Sequence, residues 1–145
     1  MVLRTVHVAC SISHYQLKDN QAMKRIVIDL DGTLTIETDV PYSEKLPNLD
    51  VVRQLRFYKE NGFKIAISTS RNMRTYEGNI GQINVNTLPV ILAWLEKHNV
   101  PYDEVFVGKI WCGFEGFCVD DKTVRPDEFV KLSYEEICKL VGIHK

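Results

Sequence analysis

Apolar residues along this chain fall into short runs separated by polar stretches, and the runs differ in period. Ile26-Val27-Ile28 is a block of β-branched residues that stops at Asp29-Leu30-Asp31-Gly32, which predicts a buried strand ended by a glycine turn. Leu49–Tyr58 instead places Val51, Val52, Leu55, Phe57 and Tyr58 among polar residues, an amphipathic helix ending near Asn61-Gly62. Phe63–Thr69 is a second strand. A second helix opens at Thr87-Leu88-Pro89 and runs through His98, with the proline near its start, where a missing N–H costs little. Pro101–Val107 is a third strand, Phe117–Val119 a fourth, and Tyr134–Val141 a closing helix. The order strand–helix–strand–helix predicts a mostly parallel, three-layer α/β/α sheet protein. The polar segments 32–48 and 70–86 are loops or a small flap, and in such sheets functional loops gather beyond the strands' C-terminal ends.

Composition adds boundaries to this picture. A chain of 145 residues supports one substantial core rather than two domains. Hydrophobic residues make up 45% and charged residues 26%, the balance of a globular protein. With 18 basic and 19 acidic residues the net charge is −1, so nothing global attracts nucleic acid or a membrane surface. No run has membrane-spanning length, and the start of the chain lacks a sustained apolar signal segment, which points to the cytoplasm. Cys10, Cys112, Cys118 and Cys138 form no Cys-x-x-Cys pair and read as free thiols in a reducing compartment. Residues 1–22 differ in character from the rest of the chain. They read as an extension, with a strand around Val6–Cys10 or disordered, or as the product of translation starting upstream of Met23; residues 23–145 form the domain proper. His7, Cys10 and His14 lack a fourth ligand and a specific spacing, so they carry no metal reading.

Four polar clusters fall where the predicted architecture would gather them: Asp29/Asp31, Ser68/Thr69, Lys109 and Asp120/Asp121. Aspartates are common in turns and helix caps, but two acids at a buried strand end are costly unless a cation or donors satisfy them. Mg²⁺, with its preference for oxygen ligands, is the natural occupant. A hydroxyl and Lys109 suit anionic oxygens, although a lone lysine is most often a solvated cation. Together the clusters suit phosphoryl transfer: one carboxylate attacks phosphorus and a second moves protons.

Asp29-Leu30-Asp31-Gly32-Thr33-Leu34 resembles the first signature of the haloacid-dehalogenase-like hydrolase superfamily, in its phosphatase branch. The resemblance covers roughly residues 24–132. It implies a Rossmann-like fold with no large cap, since 34–49 and 71–87 are too short to hold one. It also implies Asp29 as nucleophile, Asp31 as general acid/base, Thr69 as the hydroxyl motif (Ser68 in a less favoured register) and Lys109 as the stabilising lysine. Mg²⁺ would be held by Asp29, Asp120 and the main-chain carbonyl of Asp31, with Asp121 beside them holding waters or orienting the site. Arg71–Pro89 and Gly108–Gly113 look more closely like small phosphatases of capsule or other polysaccharide biosynthesis, which suggests a phosphorylated sugar as substrate.

Arg71 and Arg74 follow the hydroxyl motif and suit phosphate or a sugar acid through their planar guanidinium groups; the alternative is a solvent-facing role. Asn86 and Trp111 are further candidates for substrate binding, as is Tyr76, with turn packing or a subunit contact as the alternative. The expected function is a Mg²⁺-dependent phosphomonoesterase acting on a small phosphorylated metabolite, as a homo-oligomer. Its rivals are a phosphotransferase or mutase sharing the aspartyl-phosphate, and a receiver-like signalling module. Receivers usually place the adjacent acid pair first and a lone phosphoaccepting aspartate later, the reverse of the order here.

Overall fold

The computed structural model describes residues 23–144; the extension 1–22, including the strand expected at Val6–Cys10, lies outside the described residues. Three strands, β1 (Arg25–Ile28), β2 (Lys64–Ser68) and β3 (Glu104–Phe106), form one parallel sheet in the order β1-β2-β3. Residues 25–28 pair with 64–67, and 66–68 with 104–106. β2 is the central strand, and its Ile65-Ala66-Ile67 run is buried throughout, as expected for a strand covered on both faces.

α1 (Leu49–Glu60) connects β1 to β2. Its start is fixed by Asn48, whose side chain accepts from the Val51 N–H, and its end by Asn61 followed by Gly62 at φ +84°. The spacing of Val51, Val52, Leu55 and Tyr58 puts all four on the buried stripe. α2 (Ile80–Asn86) and α3 (Leu88–Lys97) lie between β2 and β3, and α3 buries Ile91, Trp94 and Leu95 against the sheet side chains. α4 (Pro126–Lys131) packs Phe129 on Tyr58, ring centroids 5.4 Å apart, and α5 (Tyr134–Leu140) closes the described chain. The result is an α/β protein of Rossmann-like type. Among the described residues no cap domain interrupts it.

Several expectations are corrected. Segment 70–86 is not loop throughout, because Asn79 caps α2 and Ile83 is buried. α4 follows a Pro126 start and carries too few apolar positions to announce itself. Among the described residues β1 lies at the edge of the sheet rather than fully buried within it, and Val27 is 64% exposed. Phe117–Val119 forms no strand. It pairs with neither edge of the sheet, and Phe117 and Val119 are exposed.

Candidate active site

Because the strands are parallel, their C-terminal ends deliver Asp29, Thr69 and the Gly108-Lys109 turn to one edge of the sheet. Beyond Ile28 the chain turns sharply. Gly32 takes φ +75°, the Thr35 N–H reaches the Leu30 carbonyl at 3.0 Å, and Leu30 and Leu34 are fully buried. This anchoring holds Asp29 and Asp31 at the rim while their apolar neighbours enter the core.

The polar groups close into a ring. Lys109 Nζ donates to Asp29 Oδ1 at 3.1 Å, and the Lys109 backbone N–H donates to the Thr69 carbonyl at 3.1 Å. Thr69 is 1% exposed, and its Oγ1 accepts the Arg71 backbone N–H at 3.1 Å. The Arg71 guanidinium then grips Asp31 through both carboxylate oxygens, Nε to Oδ2 at 2.9 Å and Nη2 to Oδ1 at 2.7 Å. A planar fork against a carboxylate is the geometry for which arginine is suited. Thr33 Oγ1 adds a 3.4 Å contact to Asp29 Oδ2. Gly108 is required in this ring: it sits at φ +84°, and a Cβ there would stand 2.5 Å from Ile80 Cδ1.

A flap completes the site. Thr35 bridges Pro47, the Ile36 N–H donates to the Leu46 carbonyl, and the Asn48 N–H donates to the Leu34 carbonyl. This pairing brings the two sides of segment 35–48 together and carries Lys45 inward. Lys45 Nζ lies 2.6 Å from Glu37 Oε1 and 3.8 Å from Asp31 Oδ1, and its carbonyl accepts Trp94 Nε1–H at 2.7 Å. Tyr42, in a 3-10 turn over Tyr42–Glu44, stacks its ring 4.0 Å over the Arg71 guanidinium. A cavity of about 310 Å³ opens beside Asp31, walled by the flap, by Arg71, Asn72 and Arg74, and by Trp111 and Phe114.

Asp29, Asp31, Thr69, Lys109 and Arg71 thus come together, and Arg74 and Trp111 line the adjoining cavity. Asn86 does not: it is exposed at the end of α2 and away from the cavity wall, which takes Asn72 instead. Tyr76 is likewise absent from that wall. Asp120 and Asp121 are not brought to the carboxylate pair. Both are exposed, and Asp120 Oδ1 accepts the Lys122 N–H at 2.8 Å in a local turn. Among the described residues no three acidic, histidine or cysteine side chains gather into a metal cage. Sequence reasoning missed Glu37, Tyr42 and Lys45; the only signal was the polar, proline-containing stretch 32–48, read as a flap without assigned residues.

An α/β sheet with two aspartates, a hydroxyl and a lysine at one strand edge defines a hydrolase of the haloacid-dehalogenase type. The profile of haloacid dehalogenase-like hydrolases matches residues 26–94, and the chain belongs to that family. A curated relative from Thermoplasma acidophilum, described as a probable D-glycero-D-manno-heptose-1,7-bisphosphate 7-phosphatase, is 37% identical over 60 residues. That match covers 39% of this chain and only 36% of the relative's length. The crystal structure of a Vibrio cholerae protein is 57% identical, superposes with a TM-score of 0.81, and covers 85% of this chain and 100% of its own.

Proposed function

We propose that this protein is a Mg²⁺-dependent phosphomonoesterase that hydrolyses a small phosphorylated metabolite, a sugar phosphate, through an aspartyl-phosphate on Asp29. The observation that carries the reading is the contact of Lys109 Nζ with Asp29 Oδ1 at 3.1 Å while Asp31 is held separately by Arg71. Two carboxylates two residues apart in sequence therefore have different partners, as different roles require. The sugar-phosphate class is supported by the heptose-bisphosphate phosphatase name of the Thermoplasma relative.

The donors suit the metal in kind. Asp29 offers a carboxylate, and the Asp31 side chain is committed to Arg71, so Asp31 would contribute its main-chain carbonyl; both are hard oxygens, and Mg²⁺ keeps several waters. When bound, Mg²⁺ supplies neutralisation of the charge on the phosphate oxygens. Asp120, whose carboxylate accepts the Lys122 N–H in a local turn, is left out of this donor set.

The chain's own groups then do the following. Lys109 and the Thr69 turn orient the phosphate, and Asp29 attacks phosphorus in line as the bond to the leaving oxygen breaks. Asp31, entering the cycle protonated, gives that oxygen its proton, so that the product leaves as an alcohol. Water then attacks the phosphorus of the aspartyl-phosphate, Asp31 takes its proton, and inorganic phosphate departs with the Asp29 carboxylate restored. Phosphate release from a panel of phosphorylated sugars and short metabolites, with Mg²⁺ or with chelator, tests the reading. Absence of Mg²⁺-stimulated release across the panel would sink it.

A further inference from the structure

Beside the carboxylate pair the cavity holds more positive charge than its own acids neutralise. Lys45 is matched by Glu37 at 2.6 Å, and two nitrogens of Arg71 are matched by Asp31. What remains is Arg74, on the cavity wall without a carboxylate partner among the described residues, flanked by the rings of Phe114 at 5.0 Å and Trp111 at 6.0 Å. Aromatic faces hold a guanidinium in place without satisfying its N–H donors. The third nitrogen of Arg71, Nη1, also has no acceptor among the described residues, although Arg71 is only 4% exposed and lines the same cavity. A buried charged donor left unpaired is costly. Tyr42, which covers that guanidinium, belongs to the flap and not to the core.

Resting on the phosphatase reading, we propose that the substrate carries a second anionic group, a carboxylate or a second phosphate, distal to the phosphate that is cleaved, and that Arg74 and Arg71 Nη1 are its receptors. The cleaved phosphate sits over Asp29. The remainder of the molecule lies along the cavity, and its far anion meets Arg74 and supplies Nη1 with the acceptor it lacks once the Tyr42 ring gives way. Arg71 then holds the general acid with one edge and the substrate with the other. Asn72, Thr75 and Ser70, on the same wall, suit the hydroxyls of a sugar backbone between the two anions.

The test uses the full chain and matched ligands: glucose 6-phosphate, 6-phosphogluconate (C1 oxidised to a carboxylate) and glucose 1,6-bisphosphate (a phosphate added at C1). Calorimetric binding to the Asp29→Asn variant, with Mg²⁺, is compared with binding to Asp29→Asn/Arg74→Gln. One or both of the doubly anionic ligands should bind at least tenfold more tightly than glucose 6-phosphate, and Arg74→Gln should remove that preference while leaving glucose 6-phosphate binding within twofold. Whichever ligand gains names the anion. Equal affinity for all three, or an equal loss for all three in Arg74→Gln, overturns the proposal, as does no binding at all. Wild-type turnover separates the two readings: hydrolysis of all three without preference leaves the phosphatase standing and sinks the second anion, whereas selective binding without hydrolysis does the reverse.

Discussion

The strand-end ring and the segment Ile110–Asp121 lie next to each other in sequence, yet they are built on opposite principles. Every group in the ring is held from two directions: Lys109 by its backbone on Thr69 and its ammonium on Asp29, Arg71 by its backbone on Thr69 and its guanidinium on Asp31. Beneath them Leu30, Leu34, Ile65 and Ile67 are fully buried. The segment beyond Lys109 leaves Ile110, Phe114, Phe117 and Val119 more than four-fifths exposed, and beyond the contacts of Trp111 and Phe114 with each other and with Arg74 it packs on little. What separates them is a partner surface: the ring stands on paired strands, while the segment meets no sheet edge among the described residues.

The sharpest way to test the ring is to remove its nucleophile. Asp29→Asn keeps the shape and the Lys109 contact yet cannot form the acyl phosphate, so phosphate release should fall by at least ~10⁴-fold with circular dichroism unchanged. Retained turnover would break the assignment of Asp29 and with it the division of roles between the two acids.

The next effect in size compares two phenylalanines. Phe129 is 7% exposed and stacks on Tyr58, so Phe129→Ala should cost about 3–5 kcal/mol in urea unfolding. Phe117 is 81% exposed, and Phe117→Ser should change stability by no more than about 0.5 kcal/mol. A cost at Phe117 near that at Phe129 would mean that the segment is covered in solution by a surface such as a second copy of the chain.

Asp120 sharpens the same contrast at the level of chemistry. Its carboxylate accepts the Lys122 N–H and joins no acid cluster among the described residues, so Asp120→Ala should raise the Mg²⁺ concentration for half-maximal activity by less than ~10-fold, below the range seen when a residue supporting a metal is lost. A larger rise would show that metal binding draws the segment onto the ring.

Much of the fold was legible because strand and helix periods are local. The β-branched block before Asp29, the stripe Val51/Val52/Leu55/Tyr58 and the proline start of α3 each declare themselves within one element. Asp29, Thr69 and Lys109 were legible for a related reason: parallel strands carry their C-terminal residues to a common edge, so order along the chain translates into proximity. Phe117–Val119 shows where this fails. An apolar run says that a segment can be a strand, not that an edge will accept it. Lys45 shows a second failure. Its position depends on the Thr35–Pro47 bridge and on the indole of Trp94, contacts that no local pattern encodes.

The smallest effect expected lies at the opposite end of the sheet, in the frame that lets the ring be rigid. Asp103 Oδ2 accepts the Ile65 N–H at 2.7 Å, and its other oxygen is paired with Lys59, tying α1 to the entry of β2 and β3. The Lys59 hydrogen bond, and after it the Ile65 amide, hold this carboxyl below its ordinary value. A depressed folded-state pKa contributes stability that is fully present above the unfolded value of about 4 and is lost as pH falls through the folded one. Wild type should therefore lose, below about pH 4, an increment of stability that Asp103→Asn never had, and the two melting curves should converge there. Because the pair is partly exposed to solvent, its contribution should stay under ~1 kcal/mol and shrink in high salt. Melting temperatures of the two proteins from pH 2.5 to 7 decide the matter. Curves that stay parallel across that range would show that the tie is geometric only, and that the frame owes its rigidity to the buried Ile65-Ala66-Ile67 run alone.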